Sequence, residues 1–138
     1  MNTENTIKIE GLKCEKTAPA IGPYSKATKV NISPNTYMIF TSGSIGVTEK
    51  GDLISDNVGE QTKQALENLK HLLEENNCSM DCISKATIFL IDMGDFKAVN
   101  DVYTTYFKNV LPARSCVAVA GLPKNSKVEI ECVAFTNK

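Results

Sequence analysis

Pro112-Ala113-Arg114-Ser115-Cys116-Val117-Ala118-Val119-Ala120 lies between a helix-like segment and a Gly121-Leu122-Pro123 turn. Its β-branched and small residues suit a strand. Side chains alternate along a strand, so Arg114, Cys116, Ala118 and Ala120 share one face and Ser115, Val117 and Val119 the other. The second set reads as an ordinary core face. The first sets a guanidinium and a thiol among small residues, which reads as the floor of a pocket for a small anion.

Outward from this stretch, Gly121 to Asn125 is a turn and Lys127 to Phe135 a last strand. Glu129, Glu131, Val133 and Phe135 share one of its faces, and Val128, Ile130, Cys132 and Ala134 the other. If these two strands form an antiparallel hairpin, Arg114 and Glu129 come near one another, about equally far from the turn. Arg suits bidentate carboxylate recognition, and Glu129 can accept a proton or hold a water. A plain cross-strand ion pair is the alternative reading of that spacing.

Upstream, Phe96, Val99, Tyr103, Tyr106, Phe107 and Val110 make the stripe of a helix over about 96–109, which Asp92 to Asp95 introduces and Pro112 closes. Ile83 to Ile91 is a strand apolar or small on both faces, as in strands covered on both sides. Before it, Asn57 and Glu60 are spaced as N-cap and N3 of a helix. Val58, Thr62, Ala65, Leu66, Leu69, Leu72 and Leu73 form its apolar stripe, with His71 roughly opposite. The lone histidine on a solvated face nearly excludes a His-based dyad.

Nearer the start, residues 1–5 read as a frayed end, and Ile7 and Ile9 alternate with Lys8 and Glu10 as a short strand. Gly22-Pro23 imposes an extended turn before Tyr24. Tyr24 to Ile32 and Tyr37 to Thr41 read as a hairpin, ending in Ser42-Gly43, where glycine permits close approach to the backbone. The order β-β-β-α-β-α-β-β predicts an α+β domain over 1–138. Its single six-stranded mixed sheet carries both helices on one face. The other face, expected to carry Cys116, Ala118, Val133 and Phe135, has no element left to cover it, which predicts a homo-oligomer.

Composition narrows the class. One domain of 138 residues can hold a real core. Fifteen basic against sixteen acidic residues, with no basic block, disfavours nucleic-acid binding by phosphate neutralisation. No apolar run spans a membrane, and the polar start lacks a signal-peptide pattern, so a cytoplasmic location is expected. The five cysteines, Cys14, Cys78, Cys82, Cys116 and Cys132, are irregularly spaced and read as reduced thiols with no zinc site. Without a His partner, Cys116 is a poor nucleophile candidate.

Gly22-Pro23-Tyr24, Thr41-Ser42-Gly43, Val99-Asn100-x-x-Tyr103, Pro112 to Val117, Leu122-Pro123-Lys124 and Val128-Glu129-Ile130-Glu131 resemble the Rid (YjgF/L-PSP) family, most closely its RidA subgroup. The resemblance covers about Ala18 to Phe135. It implies a chorismate-mutase-like fold and a homotrimer with ligand sites between subunits. The implied activity is hydrolysis of enamine and imine acids (2-aminoacrylate/2-iminopropanoate and 2-iminobutanoate) to 2-oxo acids and ammonia, without metal or organic cofactor. By that resemblance Arg114 binds the substrate carboxylate, with Gly43 as its backbone partner. Tyr24, Ser42, Asn100 and Cys116 line the pocket, and Glu129 positions the attacking water. Tyr24 offers a hydroxyl to the nitrogen or the tetrahedral intermediate. The competing readings the family carries are an L-PSP-type endoribonuclease or translation inhibitor, a chaperone, and a module binding 2-oxo acids without turnover.

Overall fold

A computed structural model describes residues 6–137. The frayed start expected over residues 1–5 lies outside the described residues. The chain runs β1 (Ile9–Leu12), β2 (Ala27–Ser33), β3 (Thr36–Thr41), β4 (Ser44–Ile45), α1 (Val58–Glu75), β5 (Ile83–Leu90), α2 (Phe96–Tyr103), β6 (Ala113–Ala118) and β7 (Val128–Thr136). The strands form one mixed sheet in the order β1-β2-β3-β7-β5-β6, with the two-residue β4 also paired to β7. The expected six-stranded sheet with two helices is therefore present, with β4 as a seventh, short strand.

Local chemistry accounts for the helices. Asn57 caps α1, its Oδ1 accepting the Glu60 N–H at 2.9 Å; such a cap contributes about 1 kcal/mol. Asn76 ends the helix, its amide donating to Leu72 O at 2.8 Å and reaching Lys13 O at 3.1 Å. Asn77 follows in a left-handed turn with φ 61°. α2 is shorter than the expected 96–109. After Tyr103 the chain tightens into a 3₁₀ turn over Thr104–Tyr106, where the Thr105 hydroxyl donates to Val102 O at 2.6 Å. Adjacent threonines offer the backbone such alternatives to helix.

The core lies between the sheet and the two helices. Leu66, Leu69 and Leu73 of α1 and Val99 of α2 are buried against Ile39, Ile88, Leu90 and Ile130. Each such side chain contributes about 1.5–3 kcal/mol on burial.

One expectation about pairing fails. β6 and β7 are not a hairpin: β5 lies between them, parallel to β6 and antiparallel to β7. Burial decides this. Val128, Ile130, Cys132 and Ala134 on one face of β7 are all at most 4 % exposed, which only a central position between β3 and β5 provides. β6, half-exposed along its length, takes the edge.

The assignment of faces also changes. In register, Arg114, Cys116 and Ala118 sit beside Ala86, Ile88 and Leu90, which face the helices. Arg114, Cys116 and Ala118 therefore lie on the covered face, and Ser115 and Val117 on the bare one. The bare face does carry Val133 and Phe135, as expected, joined by Phe40, Met38 and Val30 through the β2–β3–β7 register. Phe40, Phe135 and Val117 remain 41 %, 38 % and 45 % exposed there.

Candidate active site

Arg114 and Glu129 do not meet within one chain. The Arg114 position aligns across β5 with Ala86 and Cys132, whereas Glu129 aligns with Phe89 and Val117. Two strand spacings across and three residues along put their Cα atoms about 14 Å apart, on opposite faces. The candidate residues thus form two groups.

The first group sits beneath α2 at the β6 edge. The Arg114 guanidinium lies 5.4 Å from the Phe96 ring centre and 5.0 Å from that of Tyr103. Among the described residues, the single ion pair is Lys97–Asp101, so Arg114 has no carboxylate partner, and no hydrogen bond involves its side chain. Asn100, one helical turn from both rings, has its Oδ1 buried without a partner, as is the Tyr103 hydroxyl. Cys116 lies two residues along β6 on the same face. Burial raises its thiol above the usual range, and the neighbouring guanidinium opposes that only in part. This favours the protonated thiol, a weak nucleophile.

The second group gathers where β3 leaves β7. Phe40 pairs with Val133 and Ser44 with Ile130, so Thr41, Ser42 and Gly43 face two residues of β7. One extra residue makes a bulge. Thr41 fills the broken ladder with its hydroxyl, which accepts the Cys132 N–H at 2.9 Å. Ser42 donates its hydroxyl to Ser25 O at 2.6 Å and its N–H to Lys26 O at 2.8 Å, tying the bulge to the segment after Tyr24. A Cβ on Gly43 would lie 2.5 Å from Glu129 Cδ, so only glycine lets the Glu129 side chain lie where it does. Tyr24, 48 % exposed, packs its ring on Gly22 and accepts the Ile21 N–H at 3.4 Å. Tyr24, Ser42, Gly43 and Glu129 border a cavity of about 110 Å³ that reaches Leu69 and Leu72 of α1. Burial, and secondarily the charge of Glu131 on the same face, raise the Glu129 carboxyl above its ordinary 4.5. A carboxyl moved toward neutral pH suits proton transfer with water.

Among the described residues no cluster of His, Cys, Asp or Glu could hold a metal, and no helix is long and apolar enough to cross a membrane.

The comparisons with known proteins agree with this architecture. The family model described as Endoribonuclease L-PSP matches residues 15–136. The chain belongs to this family, the one its motifs resemble. It is 43 % identical over 121 residues to human 2-iminobutanoate/2-iminopropanoate deaminase, covering 87 % of this chain and 85 % of that one. It is 41 % identical over 131 residues to the chloroplastic Reactive Intermediate Deaminase A of Arabidopsis thaliana, covering 94 % and 67 %. The crystal structure of YEO7_yeast superposes with a TM-score of 0.86 at 39 % identity, covering 95 % of this chain and all of that one.

The pattern reading missed the polar residues that hold the second group in place. Gln61 is 1 % exposed; its amide donates to Ser55 O and accepts the Lys127 N–H, both at 2.8 Å, which anchors the start of β7 two residues before Glu129. Asn68 donates to the carbonyls of Ile45 and Val47 around β4. Both sit within or beside the apolar stripe of α1, a visible signal that the stripe also carries polar anchors.

Proposed function

We propose that the protein hydrolyses reactive 2-imino acids and their enamine tautomers, 2-iminopropanoate and 2-iminobutanoate, to 2-oxo acids and ammonia. The observation that carries this is the Arg114 guanidinium, which has aromatic neighbours but no hydrogen-bond or charge partner among the described residues. A half-buried arginine left with free donors suits a small carboxylate. The relatives named as imine deaminases support the substrate class.

Arg114 binds the substrate carboxylate, with the Gly43 backbone as second contact, and holds C2 in a near-attack pose. Ser42, Asn100 and Cys116 line the pocket. With the imine nitrogen protonated, water adds to C2 while Glu129 takes its proton. Tyr24 donates a hydrogen bond to the nitrogen or to the tetrahedral intermediate. Glu129 then returns the proton to nitrogen, the C=O bond forms as the C–N bond breaks, and the hydroxyl proton passes through Glu129 to the departing ammonia, leaving a 2-oxo acid and ammonium. The atoms balance with water alone, so the step needs no cofactor.

The site is completed between subunits of a homotrimer of single-domain chains. Its support is the placement of Arg114 on the covered face at the sheet edge and of Glu129 on the bare face, which carries exposed Phe40, Phe135 and Val117. A cytoplasmic location fits the reduced cysteines, while the chloroplastic relative indicates that location varies between relatives.

The test generates 2-iminobutanoate with a threonine dehydratase and follows loss of the imine. Wild type is expected to accelerate that loss, and Arg114→Ala to lose the acceleration. A wild type without effect, or an active Arg114→Ala, overturns the assignment.

A further inference from the structure

We propose that Phe96 and Tyr103 are positioning residues for Arg114, acting as an aromatic clamp that presets the guanidinium before substrate arrives. This rests on the reading of Arg114 as the carboxylate anchor.

Phe96 and Tyr103 are seven residues apart, the first and last positions of α2. Two helical turns bring them back to one face, about 10 Å apart along the axis. The guanidinium lies over both rings, 5.4 Å from the Phe96 centre and 5.0 Å from the Tyr103 centre. An arginine side chain has four rotatable bonds and, free, loses much rotamer freedom when it binds a ligand. Here nothing else among the described residues fixes its head: no carboxylate pairs with it and no hydrogen bond involves it. The ring faces hold the cation without using its N–H donors. All five donors thus remain for a ligand, which a salt bridge in the resting protein would have consumed.

The burial pattern supports a site and not plain packing. Tyr103 is 4 % exposed, and its hydroxyl is buried without a partner, as is Asn100 Oδ1. These are the two unpartnered buried side-chain polar atoms among the described residues, and both belong to α2 residues flanking the same guanidinium. Phe107 packs against the Tyr103 ring, with centroids 4.8 Å apart and planes tilted by 46°. Phe96, at 38 % exposure, contributes little to the core, so its aromatic ring is not explained by packing alone.

The experiment measures steady-state imine hydrolysis and, separately, equilibrium binding of 2-oxobutanoate, for wild type, Phe96→Leu, Tyr103→Leu and Tyr103→Phe. Phe96→Leu and Tyr103→Leu are expected to raise KM and the 2-oxobutanoate Kd by about three- to tenfold each, with kcat within about twofold. Tyr103→Phe, which keeps the ring, is expected to recover KM and Kd relative to Tyr103→Leu. Phe96→Leu, at a half-exposed position, guards against loss of folding in Tyr103→Leu. Unchanged KM and Kd in Phe96→Leu, or a fall confined to kcat, overturns the clamp. A wild type that hydrolyses no imine overturns the catalytic reading instead, while the 2-oxobutanoate Kd still tests the clamp.

Discussion

Arg114 and Glu129 lie on opposite faces of one sheet, separated by β5, with Arg114 beside α2 and Glu129 against Gly43. On the proposed mechanism the two come from different chains of the oligomer. Arg114→Ala and Glu129→Gln are each expected to be inactive alone. Co-assembled in equal amounts, they should regain activity at about one site in four, because a mixed interface restores an intact Arg and an intact Glu. Imine hydrolysis by the mixed oligomer, compared with each variant alone, reads this out. No recovery in verified mixed oligomers would place the whole site in one chain.

Gly43→Ala tests the second group. The added Cβ would lie 2.5 Å from Glu129 Cδ and 2.6 Å from its Oε2. The far end of a flexible side chain can move, so the fold survives while the carboxyl leaves its position. The expected result is a fall in kcat on the order of a hundredfold with a thermal midpoint within a few degrees of wild type. Retained kcat would show that the carboxyl position against Gly43 is not the working one.

The elements were legible in local pattern, but their neighbours were not. The alternation of Val128, Ile130, Cys132 and Ala134 announces a strand with one buried face. Nothing in it says that β5, instead of β6, lies beside it. Alternation likewise groups Arg114 with Cys116 but does not say which face the helices cover, since a half-buried Arg beside aromatics is as compatible with a helix-covered edge as with a bare face. Gly43 signals close approach, yet its partner Glu129 is 86 positions away and is identified only by the bulge register. Phe96 and Tyr103 read as core because the same spacing that fills a core also brackets an arginine.

The carboxyl of Glu129 gives a pH prediction. Burial is the first cause of its upward shift and Glu131 the second. A base with a raised pKa stays protonated to higher pH, so kcat/KM is expected to fall on the acid side at a pH above 4.5. Glu131→Gln removes the like charge and is expected to move that limb to lower pH without reaching 4.5, because burial remains. A limb unmoved by Glu131→Gln would assign the titration to another group.

Gln61 links stability to the site. Its buried amide bridges Ser55 O and the Lys127 N–H at 2.8 Å each, joining the segment before α1 to the start of β7. The packing there is close: a Cβ on Gly46 would sit 2.6 Å from the Gln61 backbone. Gln61→Leu keeps volume but leaves a carbonyl and an N–H without partners. Each orphaned group costs about 1–3 kcal/mol, which predicts a drop in thermal midpoint on the order of 10 °C. Because Glu129 lies two residues beyond Lys127, kcat is expected to fall at temperatures where the variant is still folded, while the 2-oxobutanoate Kd set by Arg114 holds. Calorimetry together with both assays separates these effects, and a parallel loss in Kd would mean that Gln61 supports the fold generally and not the β7 start in particular.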